Sequence, residues 1–451
     1  MMSDSVLQRA VAAHQAGRLV EAEQGYRAAL AQEPDRAELH FALGQVLCGL
    51  GRLEPAVRHF QESHRLRPDL PEAAIQLCNE IEARGDAGTA IALLRGMVQR
   101  NPADAGAWVN LGIMLARRRD FAPALDAYRR AQAVAPDFAL AHYNEARLHL
   151  VTGNLAQGWA KAEWRLKLDR AEKLPPGFTQ PRWTGASPSG TLLLHAEQGF
   201  GDTIQFCRYI PLAARRARIL LSVPPALVRL LSRLEGVAEF VVPGRPIPDF
   251  AQYCSLMSLP HLFGTVLETI PAEIPYLSAE PAARDAWRQR LAGLQRLKVG
   301  LVWAGGAAQP DRPDAARADA RRSIALAALA PLASLADFVS LQKGAPAAQA
   351  PPPGMALHDF TVELNDFADT AALIEALDLV ISVDTAVVHL AGALGKPVWL
   401  LNRYDTCWRW LLGRDDSPWY PTLRQFRQHA PDDWAPVIAE VAAALAAISR
   451  R

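Results

Sequence analysis

Apolar positions in the first third of the chain recur with helical spacing, and that spacing is itself repeated. Gly17, Gly51, Gly85 and Gly153 stand 34 or 68 positions apart, with Arg119 on the missing beat. Pro34, Pro68, Pro102 and Pro136 keep the interval, as do Ala22, Ala56, Ala90 and Ala124, and the larger Tyr26, Phe60, Leu94 and Tyr128. Each interval reads as two helices. In the second, Ala37 to Leu50 is one helix, Gly51-Arg52 the turn, Glu54 to Leu66 the other, and Arg67-Pro68-Asp69 the stop. Glycine allows the backbone conformation that ends a helix, and proline cannot continue one. Small alanines let neighbouring helices approach. Units of this kind bury their apolar faces only by stacking, so residues 1–170 are expected to form a superhelical all-α array.

The pattern then changes. Glu172 to Gly190 is rich in Pro, Gly, Ser and Thr, so 171–190 reads as a linker, with Trp183 packing on a neighbour. Thr191 to Ala196 is an apolar run of strand length, followed by a glycine turn and a helix to about Arg216. Ala217 to Val223 and Ala238 to Val242 read as further strands around a helix near Ala226 to Leu234. Pro275 to Leu297 holds a crossover and a helix. Leu297 to Gly305 starts a second strand–turn unit, with later strands at Phe338 to Leu341, Leu379 to Val383 and Val398 to Leu401. These alternations predict two α/β Rossmann-like domains, 191–290 and 291–429, facing across a cleft. A C-terminal helix is expected within 430–451, over Trp434 to Ile448.

Composition narrows the classes. The 451 residues are 50% apolar and 21% charged, with 48 Lys plus Arg against 47 Asp plus Glu. That balance offers no electrostatic argument for nucleic acid. The five cysteines form no metal-ligand spacing, which suits a reducing compartment. No leader-like start and no apolar run of about 20 residues is visible, so a cytoplasmic protein is expected.

Candidate chemistry gathers at the turns. Asp384-Thr385-Ala386 follows an apolar strand and opens a helix that carries His389, so helix-start N–H groups and the Thr385 hydroxyl offer an anion site. Asp384 is either a cap or a ligand of a sugar or ribose hydroxyl, and His389 faces either phosphate or core. Lys343, at a strand end, can offset the charge of a leaving diphosphate. Arg322 and Ser323 precede the helical run Leu326 to Leu335, where Ser323 as cap would again suit phosphate. Trp303 is a candidate for stacking on a base. The turn Gly199-Phe200-Gly201-Asp202 lacks the GxGxxG pattern and puts a carboxylate where a dinucleotide phosphate would sit. It suits a base better than a phosphate, with Gly201 allowing close approach. Asp202 is the expected general base, and Glu197 and His195 on the same segment are the reserves. No Asp-x-Asp pair occurs, so basic side chains and helix-start N–H groups are expected to neutralise the leaving group without a metal.

Trp108, Leu111, Gly112, Tyr128 and Pro136 stand as in tetratricopeptide repeats, which the array resembles. Asn110 and Asn144, at one repeat position, are similar to the short part of an asparagine ladder with which protein O-GlcNAc transferases hold an acceptor polypeptide. The later chain resembles bacterial tetratricopeptide-containing glycosyltransferases, and more distantly lipopolysaccharide heptosyltransferases. The stretches that carry this are His195 to Thr203, Gly300 to Gly305, Arg321 to Ile324, Ser340 to Gly344 (with Gln342), Asp378 to Ala386, His389 to Pro397 and Ser417 to Pro421.

The resemblance implies an all-α tetratricopeptide superhelix followed by a GT-B region. It implies an inverting, metal-independent transferase with Asp202 as base and the donor's diphosphate at Asp384, Thr385 and Ala386. The donor would be a UDP-, GDP- or ADP-sugar, with a CMP-sugar also open, and no cofactor is tightly bound. The acceptor would be a protein held by the repeats, with bacterial surface or flagellar proteins as candidates. A glycan or lipid-linked acceptor is the first alternative, and a binding module with a degenerate transferase half the second. Trp408-Arg409-Trp410 and Trp419-Tyr420 are expected to line the cleft, with a sugar platform of indole and guanidinium groups open there and most of the tryptophans in the core. Residues 306–320 depart from the family pattern and read as a loose loop.

Overall fold

The computed structural model describes residues 2–67, 76, 78, 81, 86–168, 179–186, 190–241, 247–306 and 313–449. Two compact units divide the chain, Met1–Leu148 and His149–Arg451.

The first unit is all helical. Met2–Gln15 pairs with Leu19–Leu30, Ala37–Gly49 with Leu53–Leu66, and Ala105–Arg117 with Phe121–Val134; Ala87–Arg100 lies between the last two pairs. Pro68 and Gly85 of the repeat pattern lie outside the described residues. Asp86 and Asp104 begin their helices by accepting from the N–H groups of Thr89 and Ala107. The turn positions share a positive φ, 73° at Gly17 and 72° at Gly51, and Arg119 adopts 65° in the place of a glycine. Gly112 is required for close packing: a Cβ there would fall 2.4 Å from the Tyr128 ring, and one on Gly44 would fall 2.6 Å from Phe60. A ring nitrogen at one repeat position staples each preceding loop. His40, Trp108 and His142 bond the carbonyls of Pro34, Pro102 and Pro136 at 2.9, 3.0 and 2.8 Å.

The second unit holds the two α/β layers. The first sheet comprises β1 (Leu192–His195), β2 (Ile219–Ser222), β3 (Val237–Phe240) and β4 (Gln252–Ser255) in the order β3-β2-β1-β4. The second comprises β5 (Lys298–Val302), β6 (Asp337–Ser340), β7 (Leu357–Asp359), β8 (Leu379–Val383), β9 (Val398–Asn402) and β10 (Leu423–Arg427), ordered β10-β9-β8-β5-β6-β7. All pairings are parallel. β1, β6, β8 and β9 are buried at every position, as parallel strands covered on both faces must be. The helix Ala435–Ser449 lays Val437, Ile438, Val441 and Leu445 against the second sheet's core, beside Leu326 and Phe338. These layers follow the repeats as a GT-B-like pair of parallel-sheet domains.

The helix Leu155–Ala162 belongs to this unit and inserts Trp159 among Phe206, Trp408 and Trp419, with ring centroids 5.2–6.3 Å away. Of the linker, 171–178 and 187–189 lie outside the described residues. Trp183 is buried on Phe263, and its backbone N–H donates to the Tyr253 carbonyl at 2.8 Å.

Several expected elements differ. The helix after Gly199 is broken into Phe200–Phe206, a 3₁₀ turn and Ile210–Ala214. The Ala/Arg/Asp-rich run read as a loose loop contains the helix Pro313–Arg322, while 307–312 lie outside the described residues. Leu326–Leu332 is a 3₁₀ segment with Pro331 inside and Ala325 as its cap, so Ser323 does not cap it. Among the described residues no helix is long and apolar enough to cross a membrane.

Candidate active site

In open parallel sheets ligands sit beyond the carboxyl ends of the strands where the order reverses. In the second sheet that point lies between β5 and β8. β8 runs out at Val383, and Asp384-Thr385 leads into the helix Ala386–Ala393, whose Thr385 cap makes no side-chain bond to the helix. The Thr385 hydroxyl lies 3.1 Å from that of Ser382. Arg322 donates to the Asp384 carbonyl at 2.6 Å and pairs with Asp319. Behind these groups Gln342 accepts from the N–H groups of Trp303 and Ala304 at 3.1 and 2.9 Å, and Ser323 accepts from Gly305 at 3.0 Å. Gln342 and Ser323 therefore hold the β5 turn in shape. The Trp303 ring is 1% exposed within the apolar core, which leaves no face for a base.

The first sheet brings its own turn to the same place. β1 ends at His195, and Asp202 stands in the first turn of the helix Phe200–Phe206, where one oxygen accepts from the Gly199 N–H at 2.9 Å. The other oxygen is taken by Arg409 of the opposite domain. Arg409 also donates to Gln205 Oε1 at 2.8 Å and to Cys407 Sγ at 3.1 Å, and its guanidinium lies 4.1 Å from the Trp408 ring centroid. Burial opposes its charge, yet the Asp202 carboxylate holds its pKa above the ordinary arginine value. Beside this pair, Gly201 packs on the helix start: a Cβ there would lie 3.4 Å from Ala386 Cα.

His389 is buried, bonded through Nδ1 to the Tyr420 hydroxyl at 2.9 Å and stacked on Trp410 at 5.1 Å. Burial drives its pKa well below the usual histidine value, and Arg409, Arg208 and Arg322 push the same way. It packs between the domains, with Gly201 on one side and Trp410 and Tyr420 on the other.

Three of the expected residues lie apart from this cluster. The Glu197 side chain is buried in a bidentate pair with Arg165, whose Nε and Nη2 donate to Oε1 and Oε2 at 2.8 Å each. His195 is buried with Nδ1 3.0 Å from the Ala196 carbonyl, and burial lowers its pKa. Lys343 donates its ammonium to the carbonyls of Thr361 and Leu364.

Sequence reasoning missed Arg403 and Arg208. Arg403 follows β9 and pairs with Asp405 at 3.0 Å, and burial works against its charge while Asp405 and Asp384 sustain it. Arg208 bonds the Trp419 and Pro271 carbonyls and the Tyr276 hydroxyl. Trp408, Trp410 and Trp419 are core residues, as expected of most tryptophans in this segment, and not a sugar platform. The site thus gathers an uncapped helix start and the guanidinium groups of Arg322, Arg403 and Arg409 around Asp202 and Asp384, an arrangement suited to a ligand with adjacent anionic and hydroxyl groups. Among the described residues no group of three or more His, Cys, Asp or Glu side chains could hold a metal ion.

Comparison with known proteins places names on both parts. Residues 13–76 match the tetratricopeptide repeat family, and residues 363–410 match glycosyltransferase family 9 (heptosyltransferase). The chain joins a tetratricopeptide-repeat region to a heptosyltransferase-type segment. That segment contains β8, the helix start at Ala386, β9, Arg403 and Arg409. The chain is 26% identical to Protein FlbA of Caulobacter vibrioides over 513 aligned positions, covering 97% of this chain and 83% of that one. It is 29% identical over 170 positions to the human Protein O-mannosyl-transferase TMTC1, covering 29% of this chain and 19% of that one. Among solved structures, a MamA double mutant superposes over 37% of this chain and 96% of its own, with 20% identity and a TM-score of 0.33. The tetratricopeptide protein YrrB superposes over 36% and 84%, with 18% identity and a TM-score of 0.29.

Proposed function

We propose that this chain is an inverting GT-B glycosyltransferase that moves a sugar from a nucleotide donor to a hydroxyl of a protein bound by its repeats. One observation carries the reading: the family 9 segment contains the uncapped helix start at Ala386, with Arg403 and Arg409 beside it. The donor's diphosphate would sit at that helix start, held by N–H groups, the Thr385 hydroxyl and the guanidinium groups of Arg322 and Arg403. These cations stand where a departing diphosphate develops charge, so the reading assigns leaving-group neutralisation to them and requires no metal. Asp384 would take a hydroxyl of the donor. Asp202 approaches from the opposite domain, the direction from which an acceptor hydroxyl attacks in an inverting displacement, and would accept its proton.

The test is a panel of UDP-, GDP-, ADP- and CMP-sugars with candidate protein acceptors, read by mass spectrometry. One donor should give transfer that survives a chelator, and its free nucleotide should raise the melting temperature. Asp202→Asn should lower turnover about 100-fold. Transfer by no donor, or turnover abolished by chelator, would overturn the reading.

The match to a heptosyltransferase family favours a second reading, in which the acceptor is a glycan and the repeats recruit a partner. One N–H of each of the Asn110 and Asn144 amides is bonded to a carbonyl of its own helix, at 2.8 Å to Gly106 and 2.9 Å to Leu140, so each amide brings one further N–H to a bound peptide at most. Parallel assays with glycan and protein acceptors separate the two.

A further inference from the structure

The cationic groups around the helix start at Ala386 are matched by carboxylates in the structure. Arg322 pairs with Asp319, Arg321 and Arg403 with Asp405, and Arg409 with Asp202. The Arg409 pair differs from the rest because its two members come from different α/β domains. Arg409 rides on the segment Trp408–Trp410 after β9, whereas Asp202 and Gln205 stand one turn apart on the helix Phe200–Phe206. The guanidinium is nine-tenths buried, stacked on Trp408 and oriented by Gln205 and Cys407, so it is fixed whether or not Asp202 is charged. An unpartnered polar atom stands beside it: Gln205, whose Oε1 accepts from Arg409, has its Nε2 buried without a hydrogen-bond partner. A carboxylate held in this way cannot offer the oxygen facing Arg409 to an incoming hydroxyl, and the guanidinium cannot offer that edge to a phosphate.

We propose that Arg409 is a leaving-group ligand for which the general base competes with the donor, so that donor binding releases Asp202 for catalysis. This rests on the glycosyltransferase reading above. The donor's diphosphate displaces the Asp202 carboxylate from Arg409 and leaves it free to face the acceptor. In the transfer step the acceptor oxygen forms its bond to the anomeric carbon while the bond from that carbon to the phosphate oxygen breaks. The acceptor's proton goes to Asp202, and the electron pair stays on the departing diphosphate oxygen, whose negative charge Arg409 offsets. Binding is then ordered, donor first, because the base is masked until the diphosphate has arrived. The pair also lowers the apparent affinity for the donor by the fraction of molecules in which Arg409 is taken.

A double-mutant cycle tests this with the nucleoside diphosphates UDP, GDP and ADP and with inorganic pyrophosphate, titrated calorimetrically into the full chain. Asp202→Asn keeps an oxygen for the Gly199 N–H and removes the competing charge. It should bind the preferred diphosphate about tenfold more tightly than the wild type. Asp202→Ser, with a shorter oxygen for the same N–H, guards against a folding defect in the first variant and should behave alike. Arg409→Ala should weaken binding, and adding Asp202→Asn to it should produce no gain. The cycle is decisive because mere removal of a negative charge would tighten binding equally in both backgrounds. Equal tightening with and without Arg409, or no tightening in either Asp202 variant while Arg409→Ala still weakens binding, overturns the masking and leaves the donor site standing. Absence of binding by every diphosphate in all variants overturns the donor site with it.

Discussion

Gly201 and His389 belong to different α/β domains and touch so closely that a Cβ on the glycine would lie 2.8 Å from the imidazole Cδ2. The contact sets the approach of the helix Phe200–Phe206 to the helix Ala386–Ala393, and thereby the distance between the proposed base and the proposed phosphate site. His389 cannot yield, since Trp410 stacks on it and Tyr420 holds its Nδ1. Gly201→Ala should therefore destabilise the second unit by about 1–3 kcal/mol, the usual cost of overpacking. Thermal denaturation followed by tryptophan fluorescence measures it, and an unchanged melting temperature would show that the domains separate without cost.

Glu197 meets Arg165 in a pair with both side chains under 5% exposed. Both carboxylate oxygens are occupied by the guanidinium. Arg165 is also held by Glu163 and Ser258. Glu197→Gln would leave the buried Arg165 with Glu163 as its remaining carboxylate, a loss on the order of 1–3 kcal/mol. Chemical denaturation of the variant should show a lowered midpoint. A midpoint equal to the wild type's would mean that the pair is solvated and that Glu197 is free for other work.

Arg119 adopts φ 65° where the other described repeat turns carry glycine. A side chain in that region crowds the following carbonyl, and glycine removes the conflict at some cost in unfolded-state entropy. Arg119→Gly should stabilise the first unit by up to about 1 kcal/mol. Hydrogen exchange in the helices Ala105–Arg117 and Phe121–Val134 reads it directly, with faster exchange as the contrary result.

These positions explain what the sequence made legible. The repeats announce themselves because one backbone requirement, a positive φ after the first helix, returns at a fixed interval and selects glycine at three of the four described turns, Gly17, Gly51 and Gly153 but not Arg119. β1, β8 and β9 are legible because strands buried on both faces are nearly all apolar, with His195, Ser382 and Asn402 the single polar residue of each. β4, β7 and β10 carry polar residues such as Gln252, His358 and Arg424 within short runs, so apolar pattern alone passes over them. The helix Pro313–Arg322 has almost no apolar stripe, and its Ala and Arg content, favourable for helix, was the signal to weigh. The turn chemistry at Asp202 and Asp384 is local and could be read. Arg409 lies 207 residues from Asp202, and no spacing rule connects a residue in a Trp-rich segment with a carboxylate so distant. Glu197 sits in the same motif as Asp202, but its partner Arg165 lies before the linker, so its ion pair was equally hidden.

The buried imidazole of His389 gives the second unit a defined response to acid. Burial and the neighbouring guanidinium groups keep its folded-state pKa well below 6.5, the value of an unperturbed histidine. As pH falls through about 6.5 the unfolded chain takes up this proton while the folded chain does not, so the unfolded state is favoured. The stabilisation is complete above that pH and is lost progressively below it, by about 1.4 kcal/mol per pH unit for one such group. His195 is also buried with a lowered pKa and contributes in the same direction, so the comparison requires a variant. His389→Gln removes one titrating group and retains a polar side chain near the Tyr420 hydroxyl. Ten of the eleven tryptophans follow residue 148, so urea denaturation read by tryptophan fluorescence reports chiefly on this unit. Between about pH 7.5 and pH 5.5 the wild type should lose more stability than His389→Gln, by roughly 1 kcal/mol or more. Equal losses in the two proteins would mean that His389 is protonated in the folded state, where it would stand as a fourth cation beside Arg322, Arg403 and Arg409.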